Sequence, residues 1–325
     1  MMKYFLLLSI LLVIPVSGSA AALPRLHVEG NTLKAADGNL VTLRGVSLCS
    51  LSWADPVAFI KALGNGEDGW RPHVIRLPVQ PAEWDRIGPK DYIAQHLDPA
   101  IRECRRSGVY CIVDWHEIAD WNDAAVGRKL ESFWRTIAPR YKDDPFVLYE
   151  IFNEPIAPRD RTRENWLAFR KRAQKWVDMV REKAPETVLL IGSPYWSQMP
   201  AFAAQDPFRG DNLVYVLHLY HGWSPGTWDD LFGNSARTIP LFVSEWGWSS
   251  LLRNRLQPFY GTRAGYAEPL RAYLDARPQI SWTAWSYDKE CGPAMIGKDK
   301  DMGLFVHDWL DEYGKDSHRS SLPKP

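Results

Sequence analysis

Two glutamates each close an apolar run: Glu154 in LYEIFNEP, residues 148–155, and Glu245 in IPLFVSEW, residues 239–246. Brought together, two such carboxylic acids can divide labour. One, kept protonated, gives a proton to a leaving oxygen, while the other, kept ionised, attacks the carbon that the oxygen leaves. Glycosidic bond cleavage uses this division, with carboxyls about 5 Å apart for retention of configuration and farther apart for inversion. Other polar residues end runs of the same kind: Arg76 in HVIRLPV, His116 in VYCIVDWH, Asn153 beside Glu154, His218 and Tyr220 in NLVYVLHLY, and Trp285 in ISWTAWSY. An arginine turned toward Glu245 would favour its ionised form, and a setting poorer in cations would keep Glu154 protonated.

These residues meet only if the runs that carry them lie side by side. Eight short segments rich in apolar and β-branched residues recur, at 41–48, 73–79, 109–116, 146–153, 187–193, 212–220, 239–246 and 280–287. Between most of them lie stretches with apolar spacings of three and four, such as AVGRKLESFWRTIAPRYK and NWLAFRKRAQKWVDMVREKA, which predict helices. Near-continuous apolar strands alternating with helices predict a parallel sheet covered on its faces. Eight units in roughly 250 residues favour a single-domain α/β fold, a closed (β/α)8 TIM barrel. No GxGxxG follows the first segment to support an open dinucleotide-binding sheet. Barrel sites are built at the carboxyl ends of the strands, where the polar residues above stand. His218 and Tyr220 are two apart and so face one side of a strand. Asn153 and Glu154 are successive, so one lies at or past the strand end, which Pro155 marks. A hairpin around LHVEGNTLKAADG, residues 26–38, is expected to close the barrel bottom.

Plainer readings compete. A single strand-end glutamate is more often an ion-pair or capping partner than a catalyst, and Glu150, deeper in the same strand as Glu154, reads as a buried hydrogen-bonding partner. His116 followed by Glu117 begins the HExxH metal pattern, but Asp120 stands where the second histidine belongs, so no metal is expected. A metal-dependent hydrolase using His116 and His218, and a non-catalytic barrel that only binds sugar, stay open as alternatives. Trp223, Trp228, Trp246, Trp248 and His221 fall near the mouth without pointing to a role.

In their order, RxP, DWH, NEP, HxY, SEW and a last tryptophan on strands two, three, four, six, seven and eight resemble glycoside hydrolase family 5, of the retaining (β/α)8 clan. The resemblance is to bacterial secreted endo-β-1,4-glucanases, in GVYCIVDWHEIADWN through KDDPFVLYEIFNEP and again in LLIGSPYWSQ, YVLHLYHG and WSYDKE. It runs from about Leu43 to Glu290. It implies that Glu154 is the acid/base and Glu245 the nucleophile, that Asn153 binds a sugar 2-hydroxyl, and that Arg76 and Tyr220 hold Glu245. His116 and His218 would bind hydroxyls or orient the carboxylates, Trp285 would form a stacking floor, and Trp53, Trp196 and Lys289 would line more distant sugar sites. The implied substrate is a β-linked polysaccharide or oligosaccharide, with no cofactor; β-mannan, xyloglucan and mixed-linkage glucan share the catalytic set. One departure stands out: where such enzymes carry His-Gly after the first strand, this chain has LCSLSW, with Cys49 and Ser50. Strands one and eight adjoin in a closed barrel, so Cys49 and Cys291 could reach the Cα separation of about 6 Å that a disulfide needs. With Cys104 and Cys111, the four cysteines allow three pairings, and sequence does not choose among them.

Composition narrows the partners. The 325 residues hold 39 basic and 39 acidic side chains, which disfavours nucleic acid or a membrane surface. The 16 tryptophans fit either a large core or a ring-lined cleft. Residues 1–22 read as a signal peptide: one lysine, an apolar run from Tyr4 to Val16, then small residues. That run is shorter than the roughly 20 residues of a membrane span. The expectation is a secreted or periplasmic, soluble, monomeric domain over 23–314, with a polar tail at 315–325 expected to be disordered.

Overall fold

In the computed structural model, which describes residues 23–64, 66, 69–220, 224–251 and 259–315, eight parallel strands close into one barrel in sequential order. They are β1 (Arg44–Ser47), β2 (Val74–Val79), β3 (Tyr110–Trp115), β4 (Val147–Glu150), β5 (Leu189–Ile191), β6 (Leu213–Leu219), β7 (Leu241–Trp246) and β8 (Ser281–Trp285). Every residue in them is buried. That is why they read as unbroken apolar runs: one face packs inside the barrel, the other against helices. All eight coincide with segments marked in the sequence, and each is shorter, because residues at one or both ends of a segment leave the hydrogen-bonded ladder.

The helices follow their apolar spacing. Ala124–Tyr141 starts at Asp123, whose carboxylate accepts from the backbone of Ala125 and Val126. It buries Leu130, Phe133, Trp134 and Ile137 on one face against the barrel. Each such side chain stabilises the fold by about 2 kcal/mol relative to exposure, so truncating Leu130 is expected to cost about 2–5 kcal/mol. The tryptophan question resolves mainly toward the core: Trp115, Trp134, Trp166, Trp228, Trp246, Trp248, Trp282 and Trp309 are all buried, and Trp53 is 60% exposed.

At the barrel bottom, His27–Glu29 and Thr32–Lys34 pair as the expected hairpin. Val28 N–H donates to Oδ1 of Asn212, which precedes β6, so the hairpin is tied to the amino ends of the strands. At the opposite end Cys49, beyond β1, is disulfide-bonded to Cys291, beyond β8, with Cα atoms 6.2 Å apart. Cys104 and Cys111 are free and buried. The last helix, Lys300–Lys315, includes Lys315, the first residue of the stretch expected to be disordered. The rest of that tail, the expected signal peptide, His221 and Trp223 lie outside the described residues. Among the described residues no helix is long and apolar enough to cross a membrane.

Candidate active site

β2 carries Arg76 to the barrel axis, where it has no exposure at all. A lone cation there would be costly, and neighbouring strands supply anions. Its Nε lies 2.7 Å from Oε2 of Glu150 on β4, and Nη2 lies 3.1 Å from the other oxygen of the same carboxylate. Nη2 also meets Asp114 of β3 at 2.9 Å and Oδ1 of Asn153 at 2.7 Å. Nη1 reaches Oε1 of Glu245 on β7 at 2.9 Å. Burial opposes the guanidinium charge, but Asp114, Glu150 and Glu245 outweigh it and raise its pKa above the ordinary arginine value.

The same contacts act on the acids. Burial pushes Glu245 up, yet His218, Arg76 and His116, with the Tyr220 hydroxyl, bring it below the usual carboxylate range. That hydroxyl donates to Oε2 of Glu245 across 2.7 Å. Burial likewise opposes ionised Glu150, and Arg76 and His218 hold it down at about 2. For Asp114 burial prevails over Arg76 and its pKa is raised. His218 would be neutralised by burial, but Glu245, Glu150 and Glu154 lift it to about 10.

Glu154 is the most open carboxylate of the group, with its side chain 12% exposed. Asn153 and Glu154 both lie past β4, and the chain does not stop at Pro155. Glu154–Pro155 instead forms a short parallel ladder with Ile118–Ala119, in which Glu154 N–H donates to the carbonyl of Glu117 at 3.0 Å. This second ladder, unforeseen in the sequence, lets two successive residues reach one site. Nδ1 of His218 lies 2.7 Å from Oε1 of Glu154 and 3.4 Å from Oε2 of Glu245. One ligand atom from each of Glu154, His218 and Glu245 lies within 4.8 Å of the others. Both carboxylates are within hydrogen-bond or ion-pair reach of one imidazole, so the grouping does not require an ion to explain it. His116, the other histidine of the metal alternative, is not in that trio: its Nδ1 lies 2.7 Å from Asp114, and its ring stacks on Trp285 at 5.1 Å and 2°.

Asn153 has one amide atom committed. Guanidinium only donates, so the carboxamide oxygen faces Arg76 and the buried Nδ2 is left without a hydrogen-bond partner. Its backbone carbonyl accepts from Ser197 Oγ at 2.7 Å. A Cβ at Gly192, just beyond β5, would meet the carbonyl of Phe152 at 2.5 Å, so only glycine permits this approach. Tyr195, Trp196 and Ser197 follow with φ of 59°, 55° and 56°, a left-handed turn that costs about 1–2 kcal/mol per residue. The turn presents a half-buried Trp196 beside Arg159, whose guanidinium lies 5.7 Å from the ring centre.

Trp53 and Lys289 meet in a cleft that neither Glu154 nor Glu245 lines. It measures about 470 Å³ and is also lined by Ala54, Phe59, Asp288, Glu290 and the disulfide residue Cys291. Sequence reasoning did not single out Asp114 or Ser244. Asp114 could have been found, because it is two residues before His116 on one strand and shares its face. Ser244 could not, since a regular strand would turn it away from Glu245.

Fold and site define a (β/α)8 barrel with paired carboxylates at its carboxyl-end mouth, one of them clamped by a buried arginine. Residues 34–290 match the family model described as Cellulase (glycosyl hydrolase family 5). The chain belongs to glycoside hydrolase family 5. It is 30% identical to an endoglucanase of Microbulbifer sp. (strain ALW1) over 82% of this chain and 51% of that protein. It is 29% identical to a cellulase of a Thermoanaerobacterium species over 82% of this chain and 71% of that protein. The chain thus spans between half and about 70% of these curated relatives. Among solved structures, a β-glucanase of Saccharophagus degradans superposes with a TM-score of 0.77 at 24% identity, covering 90% of this chain and 94% of that one, and supports the fold.

Proposed function

We propose that the protein is a retaining endo-β-1,4-glucanase in which Glu154 is the acid/base and Glu245 the nucleophile. The observation that carries this reading is the asymmetry of the pair: Glu245 is held by Arg76 at 2.9 Å and Tyr220 at 2.7 Å and kept ionised, while Glu154, which meets the same Nδ1 of His218 at 2.7 Å, is the more open of the two. Their proximity, with one oxygen from each within 4.8 Å, matches the short spacing of retaining enzymes better than the longer spacing of inverting ones. Glu245 attacks the anomeric carbon as Glu154 protonates the departing oxygen. Water then enters on the same face, gives its proton to Glu154, and releases the sugar from Glu245 with its configuration kept.

Asn153 Nδ2, buried and unpartnered, is positioned to donate to the 2-hydroxyl, and Trp285 to stack beneath the sugar. β-1,4-Glucan is favoured by likeness: a Thermobifida fusca endoglucanase carrying E355Q, similar in fold to this chain, is described in complex with cellotetraose. Export through residues 1–22, action as a monomer and independence of cofactors belong to the same proposal.

Hydrolysis of carboxymethylcellulose and cello-oligosaccharides, with the first-formed anomer followed by NMR, tests it. Wild type is expected to release the β anomer, and Glu245→Gln to lose roughly 10⁴-fold or more in kcat. An α product or full activity in Glu245→Gln would refute the assignment. Cleavage of mannan or xyloglucan but not cellulose derivatives would move the substrate within the family, and loss of activity to a chelator would favour a metal mechanism.

A further inference from the structure

β6 and β7 slip by one residue beside the carboxylates. Leu217 pairs with Val243 and the next residue, His218, with Glu245, which leaves Ser244 as the extra residue of a bulge. On a regular strand Ser244 and Glu245 would face opposite sides. Here both reach the site. Ser244 Oγ lies 3.1 Å from Nε2 of His218 and 3.0 Å from Oε1 of Glu150, and all three residues are fully buried.

A serine hydroxyl has one proton to give. Glu150, gripped through both oxygens by Arg76, is ionised and offers only lone pairs, so Ser244 donates to Glu150. The serine oxygen therefore faces His218 as an acceptor. Nε2 must carry a hydrogen, which leaves Nδ1 as the position of His218 whose proton can come and go.

We propose that Ser244, oriented by Glu150, is a positioning residue for the acid step: it keeps a hydrogen on Nε2 of His218, so that the Nδ1–Glu154 contact at 2.7 Å holds one transferable proton. The proposal rests on Glu154 being the acid/base. Two arrangements then exist, a protonated Glu154 against a bare Nδ1, or an ionised Glu154 against Nδ1–H. In glycosylation the C–O bond breaks with its electron pair on the leaving oxygen, which takes the proton from Glu154, while a Glu245 oxygen bonds the anomeric carbon. Without Ser244, neutral His218 is free to place its hydrogen on Nδ1 instead. It would then donate to Glu154 and favour the carboxylate, which has no proton to deliver. The titratable groups facing His218 are Glu154 beyond β4, Glu150 on β4 and Glu245 on β7; Arg76 and Tyr220 act on it through these carboxylates.

The test compares two substrates of Ser244→Ala. Cellotetraose has a sugar leaving group that needs protonation, and 2,4-dinitrophenyl cellobioside has one that does not. The variant is expected to lose about 10–100-fold in kcat/KM on cellotetraose and less than about threefold on the aryl substrate, with the alkaline limb of the cellotetraose profile moved to lower pH. Ser244→Thr, which keeps the hydroxyl, is expected to restore most of the loss. Equal losses on both substrates, or none, would overturn the proposal. Wild type that cleaves neither would refute the glucanase reading first. Nitrogen-15 NMR of wild-type His218 gives a test without any variant: Nε2 stays protonated throughout the folded range, and a bare Nε2 at any such pH would overturn the role of Ser244.

Discussion

Tyr220 donates its phenolic proton to Oε2 of Glu245, while Arg76 takes Oε1, so each oxygen of this carboxylate has its own fixed donor. A hydrogen bond to a charged group is worth about 1.5–3 kcal/mol. Tyr220→Phe keeps the ring and is expected to lower kcat/KM by roughly 10–100-fold with the fold intact. Steady-state kinetics beside a thermal melt will check it, and unchanged kinetics would show that Arg76 alone suffices.

The Arg76 guanidinium is shared by three buried acids, Asp114, Glu150 and Glu245. Arg76→Met leaves Glu150, Asp114 and Glu245 buried together, at an expected cost of about 3–5 kcal/mol in unfolding free energy. Arg76→Lys keeps the charge but loses the planar fork that spans Glu150, Asn153 and Glu245, so it is expected to rescue stability more than activity. Urea unfolding and kcat measured on both variants separate the two effects.

His218 ties stability to alkaline pH. Its pKa is raised from 6.5 to about 10 on folding, so the folded chain binds this proton more tightly than the unfolded chain. The contribution is complete below about 6.5 and is lost as pH rises toward 10. Glu150 acts at the other end: held at about 2 instead of 4.5, it contributes above 4.5 and loses that contribution as pH falls toward 2. Unfolding free energy is expected to decline from pH 7 to 9.5 in wild type and less steeply in His218→Asn. Equal slopes would contradict the coupling.

The disulfide borders the cleft that holds Trp53 and Lys289. Replacing Cys49 and Cys291 with serine is expected to lower stability by about 2–5 kcal/mol, read from urea unfolding with and without reductant. Trp53→Ala, by contrast, is expected to leave stability within about 0.5 kcal/mol, because the ring is 60% exposed. Its effect should fall on KM for long cello-oligosaccharides and spare short ones. A uniform loss on all lengths would place Trp53 nearer the reacting bond.

The eight strands and their order were legible because each is buried on both faces and therefore written as an apolar run. The polar residues that break those runs, Arg76, His116, His218, Tyr220 and Glu245, were legible for the same reason: a charge at the end of a buried strand is costly unless it has partners. Glu150 was read as a buried hydrogen-bonding partner, and it accepts from Arg76 and Ser244. What stayed hidden depends on contacts between strands distant in sequence. The left-handed turn at Tyr195–Ser197 uses residue types that ordinarily adopt other conformations, and the ladder of Glu154–Pro155 with Ile118–Ala119 is only two residues long on each side, too short to leave a period in the sequence. The surrounding packing and hydrogen bonds select these.

Residue type and period alone determined that this chain builds a barrel and carries two carboxylates to its mouth. Tertiary structure decided the rest: Arg76 and Tyr220 meet Glu245, His218 stands between the two glutamates, and a bulge turns Ser244 inward beside Glu245. The physical reason is that strand period records which face a side chain takes within its own strand, whereas register shifts and the charge of a buried group are settled by the neighbours that the closed sheet brings to it.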